Sequence, residues 1–240
     1  MVSKIIIDEA MLLCAGFGKR LQPLTLTTPK PLIKVNAKPI IEYTIDSLAK
    51  INIKKIIINA HYLPEQFETF LEYIKNKYLY INFVLSFEPE IMESGGGVKN
   101  AIKYFTNSKG LIINGDCIYI DKEENTFEYL INKYEENMDA LMLFNDFHNA
   151  YGFDGKGDYG LDEYGRINRD EKPLFAFNGA QIIDLNVIAK YERDYFSLRD
   201  VYSNPALNIY GTLNPNPWLH IGDVKGLEEA EKFLNQTSLA

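Results

Sequence analysis

Between Ala10 and Ile113 the chain alternates short β-branched runs with amphipathic stretches of helical period, an order that confines it to layered α/β folds. Ala10 to Cys14 reads as a strand, and Gly16 to Arg20 as the loop that follows it. Pro39 opens a helical pattern with Ile40, Ile41, Ile45 and Leu48 on one face. Lys55 to Asn59 reads as a second buried strand. Pro64 starts a helix that carries Phe67, Phe70, Leu71 and Ile74. Ile81 to Leu85 is a third strand, Val98 to Phe105 a helix and Leu111 to Ile113 a fourth strand. Short strands alternating with longer helices predict parallel βαβ units with helices on both faces of the sheet. Ligands of such sheets bind beyond the carboxyl ends of the strands. The loops after Cys14, Leu85 and Ile113 are therefore expected to share one crevice.

The pattern changes after Asn145. Residues 148–172 are rich in Gly, Asp and Tyr, and Asp162-Glu163-Tyr164-Gly165 has the chemistry of a hairpin turn. Phe175 to Ile183 resumes as a strand, and a last helix is expected over about Lys225 to Asn235. With no repeat and no linker composition, one domain over residues 1–240 is the simplest reading. Apolar residues make up 46% of the chain, which excludes a disordered class, and the net charge of −8 repels polyanions. Nucleic acid is thus an unexpected partner, and phosphate binding requires a local basic cluster. Cys14 and Cys117 sit in apolar runs away from metal-ligand spacing and are expected as buried, reduced thiols. The opening MVSKIII meets Asp8 and Glu9 before a secretory apolar region forms, and no apolar run is long enough to cross a bilayer. No membrane partner is expected, and the cytoplasm is the expected location.

The strongest local signal runs from Leu13 to Leu32. Gly16 and Gly18 lack a Cβ, so backbone amides there can approach a polyphosphate closely. Lys19, Arg20 and Lys30 cluster positive charge within an acidic chain. Arg20 can bridge phosphoryl oxygens in bidentate fashion, and Lys30, held extended between Pro29 and Pro31, acts as a point charge. A lone GxG is also compatible with a plain turn and solvated cations. Asp116 follows directly on the apolar run Leu111-Ile112-Ile113, so it projects from a strand's carboxyl end, either to hold a cation or to cap the next segment.

The run from Gly16 to Pro31 resembles the signature GxGxRxxPxTxxxPKP of the sugar-1-phosphate nucleotidyltransferases. Asn59-Ala60-His61-Tyr62-Leu63, Glu93-Ser94-Gly95-Gly96-Gly97 and Asn114-Gly115-Asp116 follow in that family's order, so the likeness covers nearly the whole chain. It is nearest to the short N-acetylmuramate 1-phosphate uridylyltransferases and sugar 1-phosphate guanylyltransferases. The resemblance implies a three-layer α/β/α, Rossmann-like fold with a mixed, mostly parallel central sheet. It divides the chain into a nucleotide-binding part (1–145), a sugar-phosphate-binding part (146–222) and a C-terminal helix (223–240). It implies a reaction in which a nucleoside triphosphate, UTP favoured, and a sugar 1-phosphate give a nucleotide-diphospho-sugar and pyrophosphate.

By the same resemblance, Ala15, Gly16, Gly18 and Lys19 line the triphosphate loop, Arg20 holds the β- and γ-phosphates, and Lys30 sits over the α-phosphate. Gly95 and Gly96 form a turn on which the nucleobase packs, and Asn114 lies on the nucleotide side. Asp116 binds Mg²⁺, with Mn²⁺ as the alternative. Arg20, Lys30 and Asp116 are thereby the catalytic set. Glu88, just upstream of the glycines, is a candidate to contact the base or a solvated loop carboxylate. Asp158, Asn178 and Gly179 fall where the family meets the sugar phosphate, and one or two of Tyr151, Phe153, Tyr159, Phe175 and Phe177 are expected on a sugar face.

The likeness fails at one place. Relatives carry W-x-D-[VI]-G-T, whose Asp is a second metal ligand; here Trp218-Leu219-His220-Ile221-Gly222-Asp223 puts His220 in that position. Imidazole suits Mn²⁺ or Zn²⁺ better than Mg²⁺. Three arrangements stay open: His220 meets the metal or a phosphate, Asp223 substitutes, or Asp116 serves with phosphate oxygens alone. His61 is expected as a satisfied core or supporting residue and His148 as loop. Competing readings are a GTP-dependent mannose or heptose 1-phosphate guanylyltransferase, a CTP-dependent phosphocholine cytidylyltransferase, and a non-catalytic sugar-nucleotide binder. Either a monomer or a small homo-oligomer is compatible with the chain.

Overall fold

The computed structural model describes residues 5–168, 170 and 172–237, so residues 1–4, read above for a leader, and 238–240 of the expected C-terminal part lie outside the described residues. In chain order the first half contains β1 (Glu9–Leu13), β2 (Lys34–Val35), β3 (Lys38–Pro39), α1 (Ile40–Leu48), β4 (Lys55–Ala60), α2 (Pro64–Lys77), β5 (Asn82–Phe87), α3 (Glu93–Ala101) and β6 (Lys109–Asn114). It continues with β7 (Cys117–Tyr119), α4 (Thr126–Lys133), β8 (Ala140–Asn145), β9 (Ala150–Tyr151), β10 (Gly160–Leu161) and β11 (Ile167–Asn168). The remainder is β12 (Ala176–Asp184), α5 (Leu185–Ala189), α6 (Leu198–Tyr202), β13 (Ile209–Leu213), β14 (Trp218–His220) and α7 (Val224–Thr237).

A seven-stranded sheet in the order β13-β8-β12-β6-β1-β4-β5 forms the middle layer. β1 pairs in parallel with β4 (Met11 opposite Ile57) and with β6 (Met11 opposite Ile112). β12 runs antiparallel to both β6 and β8, while β13 returns parallel to β8. The sheet is therefore mixed and mostly parallel.

Strand alternation sorts side chains into two cores. Ala10 and Leu12 face Ile41, Ile45 and Leu48 of α1 and Phe67, Phe70, Leu71 and Ile74 of α2. Met11, Ile57 and Ile112 face Val98 and Ala101 of α3 together with α5 and α6. Each fully buried Leu, Ile or Phe contributes about 1.5–3 kcal/mol by leaving water, so both faces must be covered. A third cluster joins Leu21, Ile33 and Val35, which flank the glycine-bearing loop, to Leu219, Ile221 and Ala230 from β14 and α7.

The expected helices at Pro39 and Pro64 start where the prolines place them, with Pro39 capping α1 and Pro64 opening α2. The helix expected at Val98 begins five residues earlier, at Glu93, and ends in a 3₁₀ turn over Ile102–Tyr104. Gly95, Gly96 and Gly97 are poor helix formers, and here tertiary packing overrides that propensity. The hairpin turn at residues 162–165 connects β10 and β11, with Asp162 Oδ1 accepting from the Tyr164 and Arg166 amides. Among the described residues no helix is long and apolar enough to cross a membrane.

Candidate active site

The loops that follow β1, β4, β5 and β6 converge on a cavity of about 470 Å³, as the strand order requires. Its wall includes Ala15, Gly16, Gly18, Lys19, Arg20, Lys30 and Asp116 at one end, and Asn59, Glu88, Ile91, Glu93 and Ser94 at the other. Asn114 and Gly222 complete it.

The loop after β1 is shaped by its own backbone. Gly18 has φ 62°, the left-handed region that glycine enters without steric cost, and its carbonyl accepts from Thr25 Oγ1 at 3.0 Å and the Leu21 amide at 2.9 Å. A side chain at Gly18 would also meet Lys30 Cβ at 2.9 Å. At Gly16 the space where a Cβ would sit is open. Among the described residues the Gly16, Phe17 and Gly18 amides donate to no protein acceptor, which leaves them for an anion. Lys19 and Arg20 are exposed, and among the described residues neither has a carboxylate partner.

Lys30 is 7% exposed, and its Nζ donates to Asp116 Oδ2 at 2.6 Å. Burial pushes the Asp116 carboxyl up, but the Lys30 ammonium outweighs it, helped by His220, and holds the group below the ordinary aspartate range. Asp116 is therefore ionised at neutral pH. Its 30% exposed carboxylate meets the cavity rather than capping a helix.

His220 ends β14, opposite Cys117 of β7. Burial pushes its pKa down, Asp116 pulls it up, and Lys30 and Arg20 add to the lowering, so the ring is largely neutral at pH 7. Its ring lies against Gly222, where a Cβ would meet Cε1 at 2.8 Å and Arg20 Nη1 at 3.4 Å. Asp223 is engaged elsewhere: its Oδ1 accepts the Gly226 amide at 3.0 Å in the first turn of α7. Among the described residues no three His, Cys, Asp or Glu side chains cluster to hold a metal. One carboxylate still fits Mg²⁺, which keeps several waters and is completed by substrate phosphate oxygens.

At the other end Glu88 is fully buried, which excludes the solvated-loop alternative. Its Oε1 accepts from Asn59 Nδ2 at 2.6 Å, and Oε2 has no hydrogen bond of ordinary geometry. Burial pushes this carboxyl's pKa up, against the lowering influences of Asn59, the Met92 amide and His61. Asn59 also accepts the Cys14 amide at 2.6 Å, so one side chain ties the phosphate-side loop to Glu88. Asn59 carries no role in the sequence reading; its signal is a polar residue directly after the apolar run Ile56–Ile58, near the strand's carboxyl end. His61 supports the same corner, with Nδ1 2.9 Å from the Glu88 carbonyl. Cys14 and Cys117 are buried free thiols, and His148 lies exposed in a short 3₁₀ turn.

Other expected residues lie outside the cavity wall. Gly95 and Gly96 are placed within α3 rather than in a turn, buried and outside the cavity wall. A Cβ at Gly95 would strike the Phe196 ring, and one at Gly96 the Asp194 carbonyl, so these glycines admit the 194–196 segment. Asp158 and Asn178 are also absent from the wall. Asp158 Oδ2 accepts the Phe177 amide at 3.0 Å. Asn178 is fully buried, donating to Asn145 Oδ1 at 2.8 Å and accepting from the Ala180 amide at 3.0 Å, which spends its side chain internally. Gly179 backs onto the side chain of the wall residue Asn114. Tyr151 packs on Phe233, Phe153 on Trp218 and His220, and Phe144 on Tyr159 and Phe177; with Phe175, none of the five expected aromatics reaches the wall.

Residues 9–237 match the protein family described as Nucleotidyl transferase. N-acetylmuramate alpha-1-phosphate uridylyltransferase of Caulobacter vibrioides is 27% identical over 94% of this chain and 96% of that protein. D-glycero-alpha-D-manno-heptose 1-phosphate guanylyltransferase of Campylobacter jejuni is 31% identical over 69% of this chain and 65% of that protein. Among solved structures, HddC from Yersinia pseudotuberculosis complexed with GMP-PN superimposes with a TM-score of 0.74 at 21% identity, over 95% of this chain and 100% of that one.

Proposed function

This chain belongs to the nucleotidyl transferase family, an enzyme family, and on that premise we propose that it condenses a nucleoside triphosphate with a sugar 1-phosphate, releasing pyrophosphate. The observation that carries the reading is one cavity with Lys30 and Asp116 paired at one end, exposed Lys19 and Arg20 beside them, and free loop amides between.

The triphosphate lies along that end. The loop amides at Gly16 to Gly18 and the side chains of Lys19 and Arg20 hold the β- and γ-phosphates, and Lys30 faces the α-phosphate. An oxygen of the sugar phosphate attacks the α-phosphorus in line, the bond from that phosphorus to the bridging oxygen breaks, and pyrophosphate leaves. A phosphate monoester is already nucleophilic near neutral pH, so positioning and charge neutralisation dominate over proton abstraction. Lys30 stabilises charge on the α-phosphoryl oxygens, and Arg20 takes up charge on the leaving group. Asp116 is the residue that would hold a divalent cation, Mg²⁺ or Mn²⁺, whose charge would further neutralise the phosphates. His220 stands beside it as the second candidate ligand.

The relative aligned over nearly its whole length favours UTP and an N-acetylmuramate 1-phosphate type of acceptor. A second reading has its own support. Glu88 Oε2, at the nucleoside end and without a hydrogen bond of ordinary geometry, suits a base that presents adjacent donors, as guanine does at N1 and N2, in keeping with the guanylyltransferase relative. Pyrophosphate release from four nucleoside triphosphates against a panel of sugar 1-phosphates separates the two. No release with any pair, despite nucleotide binding, would reduce the protein to a binder.

A further inference from the structure

Glu93 is one of the residues lining the cavity, and its backbone is held at φ 60°, in the left-handed region that non-glycine residues seldom adopt. Glycine would sit there without strain, so a glutamate at this position needs a compensating use. The neighbouring backbone imposes the conformation. Gly95 and Gly96 donate their amides to the Phe196 carbonyl at 2.9 and 3.1 Å, and Ser94 Oγ accepts the Leu198 amide at 3.0 Å. Lys99 fastens the same segment, donating to the Tyr191 carbonyl at 2.7 Å and to Asp194 Oδ1 at 2.7 Å. The strap from Tyr191 to Leu198 is thus bound to the start of α3, and it reaches the Glu93 side chain itself: Tyr195 Oη donates to Glu93 Oε1 at 3.3 Å.

We infer that the Glu93 carboxylate, oriented by Tyr195, is a specificity-determining residue that accepts a hydrogen bond from a donor on the nucleoside. This rests on the function proposed above. With the triphosphate at the Lys30–Asp116 end, the nucleoside lies toward Glu88, Ile91, Glu93 and Ser94. A carboxylate there accepts and cannot donate, so its ligand is a ribose hydroxyl or a base N–H. Its Oε2 makes no hydrogen bond among the described residues, and the Tyr195 hydroxyl donates to Oε1. The 194–196 segment explains the glycines that follow: Gly95 and Gly96 admit the strap that carries Tyr195.

The test compares Glu93→Gly, Glu93→Gln and Tyr195→Phe with the parent chain by calorimetric titration of nucleoside triphosphates, their 2′- and 3′-deoxy analogues, and inorganic tripolyphosphate. Glu93→Gly is expected to melt at the parent temperature or above, because glycine relieves the backbone, yet to bind the preferred nucleotide at least tenfold more weakly. Tripolyphosphate binding is expected to stay within twofold. Tyr195→Phe is expected to fall between. An analogue lacking the recognised donor should bind parent and Glu93→Gly alike: a deoxy analogue identifies ribose, and an effect that varies only with the base identifies an N–H. Parent-like nucleotide affinity in both Glu93 variants would overturn the inference. So would an equal loss for tripolyphosphate, which marks a structural role. If the parent chain binds tripolyphosphate but no nucleotide, the proposed function itself fails, and Glu93 with it.

Discussion

Lys30 and Asp116 lie 86 positions apart in the chain and meet as a 2.6 Å ion pair on the cavity wall. The pair joins the loop after β1 to the end of β6, and the Lys30 ammonium helps hold Asp116 ionised. Both charges then stand ready for ligands of opposite sign.

Lys30→Ala and Arg20→Ala are each expected to lower turnover by about a hundredfold or more, the scale of losing one preorganised charge at a transition state. Steady-state pyrophosphate release measures this. A near-parent rate for either variant would remove that residue from the mechanism.

Asp116→Asn keeps the size of the side chain and loses its charge. We expect metal-dependent turnover to vanish while the circular dichroism spectrum and melting cooperativity persist. Binding of Mn²⁺ in the presence of nucleotide, read by electron paramagnetic resonance, is expected to weaken in parallel. Unchanged Mn²⁺ binding would refute the ligand assignment.

His220→Asp replaces a largely neutral imidazole by a hard carboxylate next to Asp116. If His220 faces the cation, the ratio of Mg²⁺- to Mn²⁺-supported turnover should rise in the variant. The same metal profile in both proteins argues that it does not.

Glu9 gives the fold an acid-sensitive joint far from the chemistry. Burial pushes its carboxyl up, but Lys55 and the amides of Asn107 and Thr106 outweigh it and leave the pKa below the ordinary range. A depressed pKa adds stability that is complete above the unfolded-state value and is lost as pH falls through the folded-state value. Glu9→Gln should therefore cost about 1–3 kcal/mol at pH 7 and progressively less on acidification. Urea denaturation across that range measures it; a constant difference would sink the assignment.

Gly18→Ala forces a Cβ against Lys30 and Thr25 at φ 62°, which should cost about 1–2 kcal/mol and weaken nucleotide binding together. A variant of full stability and full affinity would show that the loop relaxes freely.

Much of this was legible before any coordinates. The helices at Pro39 and Pro64 and the first strands follow from period and proline chemistry, and the crevice follows from strands that run the same way. Strand direction after Asn145 was not readable from residues 146–175: period two is blind to direction, so nothing in that stretch itself marked β12 as reversed between β6 and β8. In the site, Lys30 and Asp116 stood out because cations in an acidic chain, and a carboxylate after an apolar strand, are local facts. Asn178 reads in the sequence as a strand amide open to a ligand; its partner Asn145 lies on another strand, which no local pattern marks. Glu93 was visible only as part of a motif. Its left-handed backbone is imposed by a strap a hundred residues away, and no local pattern encodes that.

The third apolar cluster has a consequence for how this loop comes into being. Leu21, Ile33 and Val35 are covered by Leu219, Ile221 and Ala230, and Asn36 is hydrogen-bonded to Asn235 at 2.9 Å. The early segment that carries Arg20 and Lys30 thus leans on a buttress made from β14, the turn after it and α7. During synthesis that segment emerges long before its support, and its apolar side stays uncovered until β14 and α7 dock against it.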